Sequence, residues 1–280
     1  MNNYIETFIK QALKEDIGAG DFTSLACIDP DKNAQAQLIV KESGILSGIE
    51  IALSVFALVD KNLDIDSLTN SGTSIKKGEI VLTVSGKAQS ILQAERLVLN
   101  IMQRMSGIAT LTYQTAQLIA HTKCKLLDTR KTTPGFRFFE KLAVIHGGGV
   151  NHRIGLFDMI MIKDNHIDYA GGIKNALERT YSYQHKNNLN LKVEIETRNL
   201  HEVKEVLKSG FKVDRIMLDN YSPQNLLEAI KLIDGYCETE ASGGIDSSTI
   251  KEYAETGVDY ISMGALTHSY KSLDLSLKAF

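Results

Sequence analysis

Apolar positions along the chain change their period once, near residue 123. Before that point, Ile5, Phe8, Ile9 and Leu13 fall at helical spacing across residues 2–14, and EDIGAGDFTS stops the helix with two glycines and the turn residues Asp21 and Thr23. QAQLIVK (35–41) and IVLTV (80–84) read as strands around a helix at about 48–60. Residues 90–120 predict a mostly helical stretch interrupted at Ser106-Gly107, carrying Arg96 and Arg104 on an otherwise apolar stretch, with Leu92, Leu99, Ile101 and Met102 as an apolar surface around Arg96. Beyond 123 the pattern becomes short apolar runs, each followed by polar residues and then a helical segment. The runs end at KLLDTRK, MIMIKDN, VEIET, RIMLDN, CETEASGG and YISMGAL. Such spacing predicts repeated βα units with parallel strands, either wrapped into a barrel or laid out as an open sheet. Six strands can be counted, with room for one more.

The segment SGTSIKKGEIVLTVSG is glycine-punctuated like the hairpins of lipoyl-type and biotinyl-type domains. It lacks their Met-Lys-Met tip, which argues against a swinging arm.

Composition narrows the class. The chain has 280 residues, 43% of them hydrophobic, enough to bury a core in one large and one smaller domain. No apolar run reaches the roughly 18 residues of a membrane helix, and the N-terminal stretch lacks a signal-peptide block, so a cytoplasmic location is expected. Cys27, Cys124 and Cys237 are odd in number and far apart, which suggests neither a disulfide framework nor a zinc site. The net charge of -3 argues against a general nucleic-acid or membrane surface. Residues 123–165 nevertheless hold eight Lys or Arg against four Asp or Glu, and these cations sit at the ends of apolar runs or beside glycines. That placement points to an anion site.

The strand ends carry the chemistry, and in barrels and open α/β sheets alike active sites form at the carboxyl ends of strands. Arg130 and Lys131, flanked by Thr129, Thr132 and Thr133, offer donors suited to phosphate or carboxylate. HGGGVNHR places His152 and Arg153 after three glycines, and Lys163 follows MIMI at another strand end. The later strands change sign, with Glu194 and Glu196 in VEIET and Asp219 in IMLDN. Strand alternation puts Glu194 and Glu196 on one side, so at least one stands where plain core would place an uncharged residue. Carboxylates at the mouth can hold ribose hydroxyls or a magnesium ion. ASGGID and SMGALTHS pair glycines with hydroxyls just after strands, a composition that cradles phosphate in the last units of α/β barrels.

Taken in order, EDIGAGDFTS, ERLVLNIMQRMSGIAT, DTRKTTPG, GGGVNHRIGLFDMIMIKDNH, VEIET, IMLDN, ASGGI and GVDYISMGALTHS resemble the quinolinate phosphoribosyltransferases over nearly the whole chain. The resemblance implies an α/β fold with an N-terminal α/β sandwich domain at residues 1–108, a catalytic incomplete barrel of about six to seven strands at 109–269, and a tail at 270–280 that packs on the first domain. It implies phosphoribosyl transfer from 5-phosphoribosyl-1-pyrophosphate to quinolinate with magnesium and decarboxylation, giving nicotinate mononucleotide for NAD biosynthesis. Carried over position by position, Arg96, Arg130, His152, Arg153 and Lys163 form the quinolinate pocket. Lys131 contacts the pyrophosphate-bearing substrate, Glu196 and Asp219 hold its ribose or Mg2+, and Ser242, Gly243, Gly264 and His268 hold its 5-phosphate. The choice of Glu196 over Glu194 stays open. The family works as a homodimer or higher oligomer, so Arg96 is expected to reach a neighbouring subunit's site. The alternatives are a same-fold paralogue acting on another acidic heterocycle, a sugar-phosphate-binding barrel without transfer activity, and a non-catalytic binding module.

Overall fold

The computed structural model describes residues 3–280 and divides into two compact units. Of the described residues, the first comprises 3–113, 133–148 and 269–280, and the second 114–132 and 149–268.

In the first unit the expected N-terminal helix spans Asn3–Ile17 and a short helix, Phe22–Cys27, follows it. Asp21 caps the second helix by accepting from the Ser24 N–H at 3.1 Å. Strands β1 (Asn33–Val40), β2 (Gly44–Ile45), β3 (Asp64–Ser67), β4 (Ser74–Ile75) and β5 (Ile80–Lys87) alternate with a helix at Ile49–Val59. The chain's last strand, Leu275–Ala279, pairs antiparallel with β1, which gives a four-stranded antiparallel sheet in the order last strand, β1, β5, β3. Alternation in β1 sends Ala36, Leu38 and Val40 into the core, as a one-sided sheet requires. The glycine-rich segment 71–86 does not fold back as a hairpin: β4 pairs with β2, whereas β5 pairs with β1 and β3.

The helix expected to break at Ser106-Gly107 runs unbroken from Ala88 to Leu118. Tertiary contacts replace the break. The Ser47 N–H donates to Ser106 Oγ at 2.9 Å, and that hydroxyl donates back to the Ser47 carbonyl at 3.2 Å. Gly107 lets the backbone at Lys271 approach so closely that a Cβ would lie 2.2 Å from the Lys271 carbonyl oxygen. The same helix corrects the expectation of an apolar surface around Arg96: Leu99, Ile101 and Met102 are buried in the unit's own core, and only Leu92 is exposed. Arg104 is explained within the unit, because its Nη2 lies 2.5 Å from the buried Glu140 carboxylate and its guanidinium sits over Phe136 and Tyr270.

The segment 133–148, which the sequence boundary at 108/109 assigns to the barrel, groups with the first unit. Its helix, Arg137–His146, brings Phe139 to 4.7 Å from both Phe8 and Phe136, and Tyr4 Oη donates to the Gly135 carbonyl at 2.7 Å. An aromatic cluster outweighs chain order.

In the second unit, six strands fall where the apolar runs end: β6 (Lys125–Leu127), β7 (Ile160–Ile162), β8 (Val193–Thr197), β9 (Arg215–Asp219), β10 (Glu238–Ser242) and β11 (Tyr260–Ser262). Every pairing among them is parallel, in the order β6-β11-β10-β9-β8-β7. The result is an incomplete barrel, open between β6 and β7, where a single parallel bridge from Leu127 to Val150 stands in place of a seventh strand. β8 is buried at all five positions, as a strand covered on both faces must be. Burial pushes the Cys124 and Cys237 thiols up to about 12, while Cys27 is exposed. No helix among the described residues is long and apolar enough to cross a membrane.

Gly107→Ala forces a methyl group into the Lys271 carbonyl, and overpacking of this kind costs about 1–3 kcal/mol. The expected outcome is a lower urea midpoint with an unchanged m-value; an unaltered midpoint would show that the backbone yields without cost.

Candidate active site

Because all six strands run the same way, their carboxyl ends meet at one edge of the sheet, and a cavity of about 930 Å3 opens there. β6 delivers Arg130 and Lys131, β7 Lys163 and Asp164, β8 Glu196, β9 Asp219 and Asn220, β10 Ser242 and Gly243, and β11 Gly264 and His268, all of them lining the cavity. His152 and Arg153 join from the loop before β7. Eleven of the twelve site residues expected from the sequence therefore share this cavity. Arg96 does not line it; that residue is exposed on the helix Ala88–Leu118, with no ion-pair partner among the described residues.

The cavity has three electrostatic zones. In the first, Arg153 is nearly buried, its Nη1 donates to the Met159 carbonyl at 3.1 Å, and its Nε is buried without a partner among the described residues. Burial, then the nearby charge of Arg130, destabilise its cationic form. Two guanidiniums in mutual repulsion gain from any anion placed between them. In the second zone, Lys163 Nζ lies 3.6 Å from Glu196 Oε2, and burial followed by the charges of Asp219 and Asp164 raises the Glu196 carboxyl against the pull of Lys163. Asp219 is raised by burial against the stabilising hydrogen bond from Asn220 Nδ2, 2.6 Å away.

The third zone is built on close approach. Gly243 has φ of 99°, and a Cβ there would lie 2.2 Å from Asn220 Oδ1. Asn220 itself holds φ of 57°, and its N–H donates to the Ser242 carbonyl at 2.8 Å, so the ends of β9 and β10 are locked together. At Gly264 a Cβ would lie 2.8 Å from Lys131 Cδ and 3.1 Å from His268 Nε2, so those side chains meet over the bare glycine. Thr267 Oγ1 donates to the Lys131 carbonyl at 2.9 Å and ties this loop to the end of β6. No long helix opens from either glycine loop: the one after β11, Ala265–His268, has four residues, so an anion here would rely on loop backbone and side chains.

Beneath the mouth lie Glu240 and Arg215, which the sequence analysis did not name, beside Glu194, which it did. Glu240 of β10 is fully buried beside Glu194 of β8, and Arg215 of β9 donates through Nη1 to Glu240 Oε2 at 2.9 Å. Burial pushes both carboxyls up. The available signal was a charge in mid-strand, legible at Glu194 and equally present in the ETEAS of β10.

A parallel barrel with cations, paired carboxylates and a glycine-lined cradle at its carboxyl edge defines an enzyme that handles a multiply anionic, phosphorylated substrate. Family models agree in detail: the quinolinate phosphoribosyl transferase N-terminal domain matches residues 21–106 and the C-terminal domain residues 108–278. The chain belongs to the quinolinate phosphoribosyltransferase family. It is 48% identical to the chloroplastic nicotinate-nucleotide pyrophosphorylase (carboxylating) of Oryza sativa subsp. japonica, over 98% of this chain and 77% of that one. A probable nicotinate-nucleotide pyrophosphorylase of Bacillus subtilis (strain 168) is 43% identical over 94% and 89% of the two chains. Among solved structures, the nicotinate-nucleotide pyrophosphorylase of Francisella tularensis superposes with a TM-score of 0.94 at 40% identity, covering 100% of this chain and 97% of that one.

Gly243→Ala places a side chain both at positive φ and on Asn220. Strain at such positions is worth about 1–3 kcal/mol. The expected outcome is at least about tenfold weaker binding of a phosphorylated ligand by titration calorimetry, with smaller losses at the cationic zone.

Proposed function

We propose that the chain transfers the phosphoribosyl group of 5-phosphoribosyl-1-pyrophosphate to quinolinate and releases pyrophosphate, carbon dioxide and nicotinate mononucleotide, a step of NAD biosynthesis. The observation that carries this reading is the pairing in one cavity of the Arg130 and Arg153 guanidiniums with the Glu196 and Asp219 carboxylates. A dicarboxylate and a developing cation need opposite surroundings, and the two zones supply them.

In this reading Arg130, Arg153 and Lys163 meet the two carboxylates of quinolinate, with His152 beside them. Ser242, Gly243, Gly264 and His268 take the 5-phosphate. The pyridine nitrogen's electron pair forms the bond to ribose C1 while the C1–O bond breaks and its pair leaves on pyrophosphate. Glu196 and Asp219 stabilise the positive charge that grows at C1, and Lys131 neutralises the leaving group. The bond to the ring carboxylate next to the new cationic nitrogen then breaks, carbon dioxide departs, and the pair left on the ring carbon takes up a proton. No covalent nucleophile is required. Glu196 and Asp219 also fit a magnesium ion: they are oxygen donors whose charge burial opposes, and a hard cation there would screen the pyrophosphate.

The same proposal includes a homodimer or larger assembly in which Arg96 enters another copy's cavity. Its exposure without an ion-pair partner supports this, since Arg104 on the same helix is fully accounted for inside its unit.

Two outcomes test the reading. Lys131→Ala lowers kcat at least about a hundredfold in an assay that scores nicotinate mononucleotide, the usual effect of losing one charge-assisted contact in the transition state, while the melting temperature holds. Near wild-type turnover would remove Lys131 from the chemistry. Arg96→Ala and Lys131→Ala chains, each nearly inactive, regain roughly a quarter of wild-type activity when dissociated and reassociated, because in a mixed pair one site carries both lesions and the other neither. No recovery in proven mixed dimers would confine Arg96 to its own subunit.

A further inference from the structure

Barrel interiors are ordinarily filled by layers of branched apolar side chains. Here a charged column takes that place. Arg215 Nη2 donates to Glu238 Oε2 at 3.1 Å, and the guanidinium lies 4.1 Å from the centroid of the Tyr260 ring, whose hydroxyl donates to Glu238 at 3.0 Å. Arg215 Nη1 binds Glu240 at 2.9 Å and lies 3.9 Å from Glu194. His152 stands at the top, with Nε2 at 3.1 Å from Glu194 Oε2 and 3.5 Å from Glu240 Oε2. His152, Glu194 and Glu240 are also close enough together to hold a metal ion, but the guanidinium already supplies their positive charge.

The hydrogen bond to Nδ1 assigns the imidazole tautomer. Nδ1 accepts the Arg153 backbone N–H at 2.7 Å, so it carries no proton, and the ring proton sits on Nε2 facing the carboxylates. The His152 backbone N–H in turn donates to the buried Asp128 at 2.8 Å. Nδ1 is therefore hydrogen-bonded inside the protein, and Nε2 faces the two carboxylates at ion-pair distance. The ring is a strut between the column and the backbone that carries the Arg153 guanidinium, a part otherwise held on a glycine-rich loop.

We propose that Glu194 and Glu240 are positioning residues for Arg153: by holding His152 Nε2 they fix the ring whose Nδ1 fixes the Arg153 backbone, and so set where the guanidinium meets the ring dicarboxylate. The proposal rests on the quinolinate reading for its ligand, not for its geometry. Acting through the strut, the column governs one substrate and not the other.

The test separates a strut from a merely structural charge. Glu194→Leu removes the oxygen that faces His152 Nε2, whereas Glu194→Gln retains a carbonyl oxygen at its place. For Glu194→Leu, the KM for quinolinate is expected to rise about tenfold or more, with the KM for phosphoribosyl pyrophosphate and kcat within about threefold of wild type. Glu194→Gln is expected to restore the quinolinate KM to within about threefold. Parallel losses in both KM values and kcat, with no rescue by glutamine, would overturn the proposal. A second measurement needs no variant: nitrogen-15 chemical shifts of the His152 side chain in the wild-type protein should report a neutral ring protonated at Nε2. An Nδ1-protonated ring or an imidazolium would overturn it equally, whether or not the leucine variant folds. Wild-type protein that fails to bind quinolinate would sink the functional reading while leaving the tautomer result intact.

Discussion

Everything chemical in this protein depends on six strands sharing one direction. Parallel pairing from β6 to β7 brings the carboxyl ends of all six strands to one edge, and residues scattered over about 140 positions become neighbours there. Antiparallel pairing of the same segments would send Lys163 and Glu196 to opposite edges. The glycines at the ends of β10 and β11 follow from that convergence, because strands that approach one another at the mouth leave no room for side chains where their loops cross. Sheet direction comes first, and the charges use it.

Much of this was legible in the chain itself. The six apolar runs and the residues at their ends are set by local chemistry: a short buried strand must be apolar, and a cation at its end must serve an anion or an ion pair. What escaped was set by contacts distant in sequence. Ser106-Gly107 reads as a break, yet Ser47 and the backbone at Lys271 turn it into a packing site within a continuous helix. Leu99, Ile101 and Met102 read as a surface around Arg96, yet they are core. Periodicity tells which residues share a face and not what that face meets. The column of Glu194, Arg215 and Glu240 escaped for a related reason, since each charge is an oddity on its own strand and becomes a network only when β8, β9 and β10 lie side by side.

The cationic zone and the column divide the labour of charge. At the mouth, Arg130 and Arg153 repel each other, an arrangement that leaves binding energy available to an incoming anion. Below it, the carboxylates of Glu194 and Glu240 face the opposite problem: Arg215 hydrogen-bonds Glu240 and lies near Glu194, and His152 Nε2 stands beside both. A ligand-hungry layer thus rests on one whose charges face one another within the barrel. His152 connects the two layers, with Nε2 facing Glu194 and Nδ1 accepting from the Arg153 backbone.

The gap between β6 and β7 has a consequence for life in a crowded solution. Unclosed sheets expose rows of unpaired backbone groups that can recruit strands from other molecules. Here the two strands beside the gap are the short ones, three residues each like β11, whereas β8, β9 and β10 have five, and a lone bridge to Val150 occupies part of the β6 edge. Three residues offer too brief a ladder for a stranger to hold. The barrel can stay open, sparing the chain two βα units, without advertising a sticky edge.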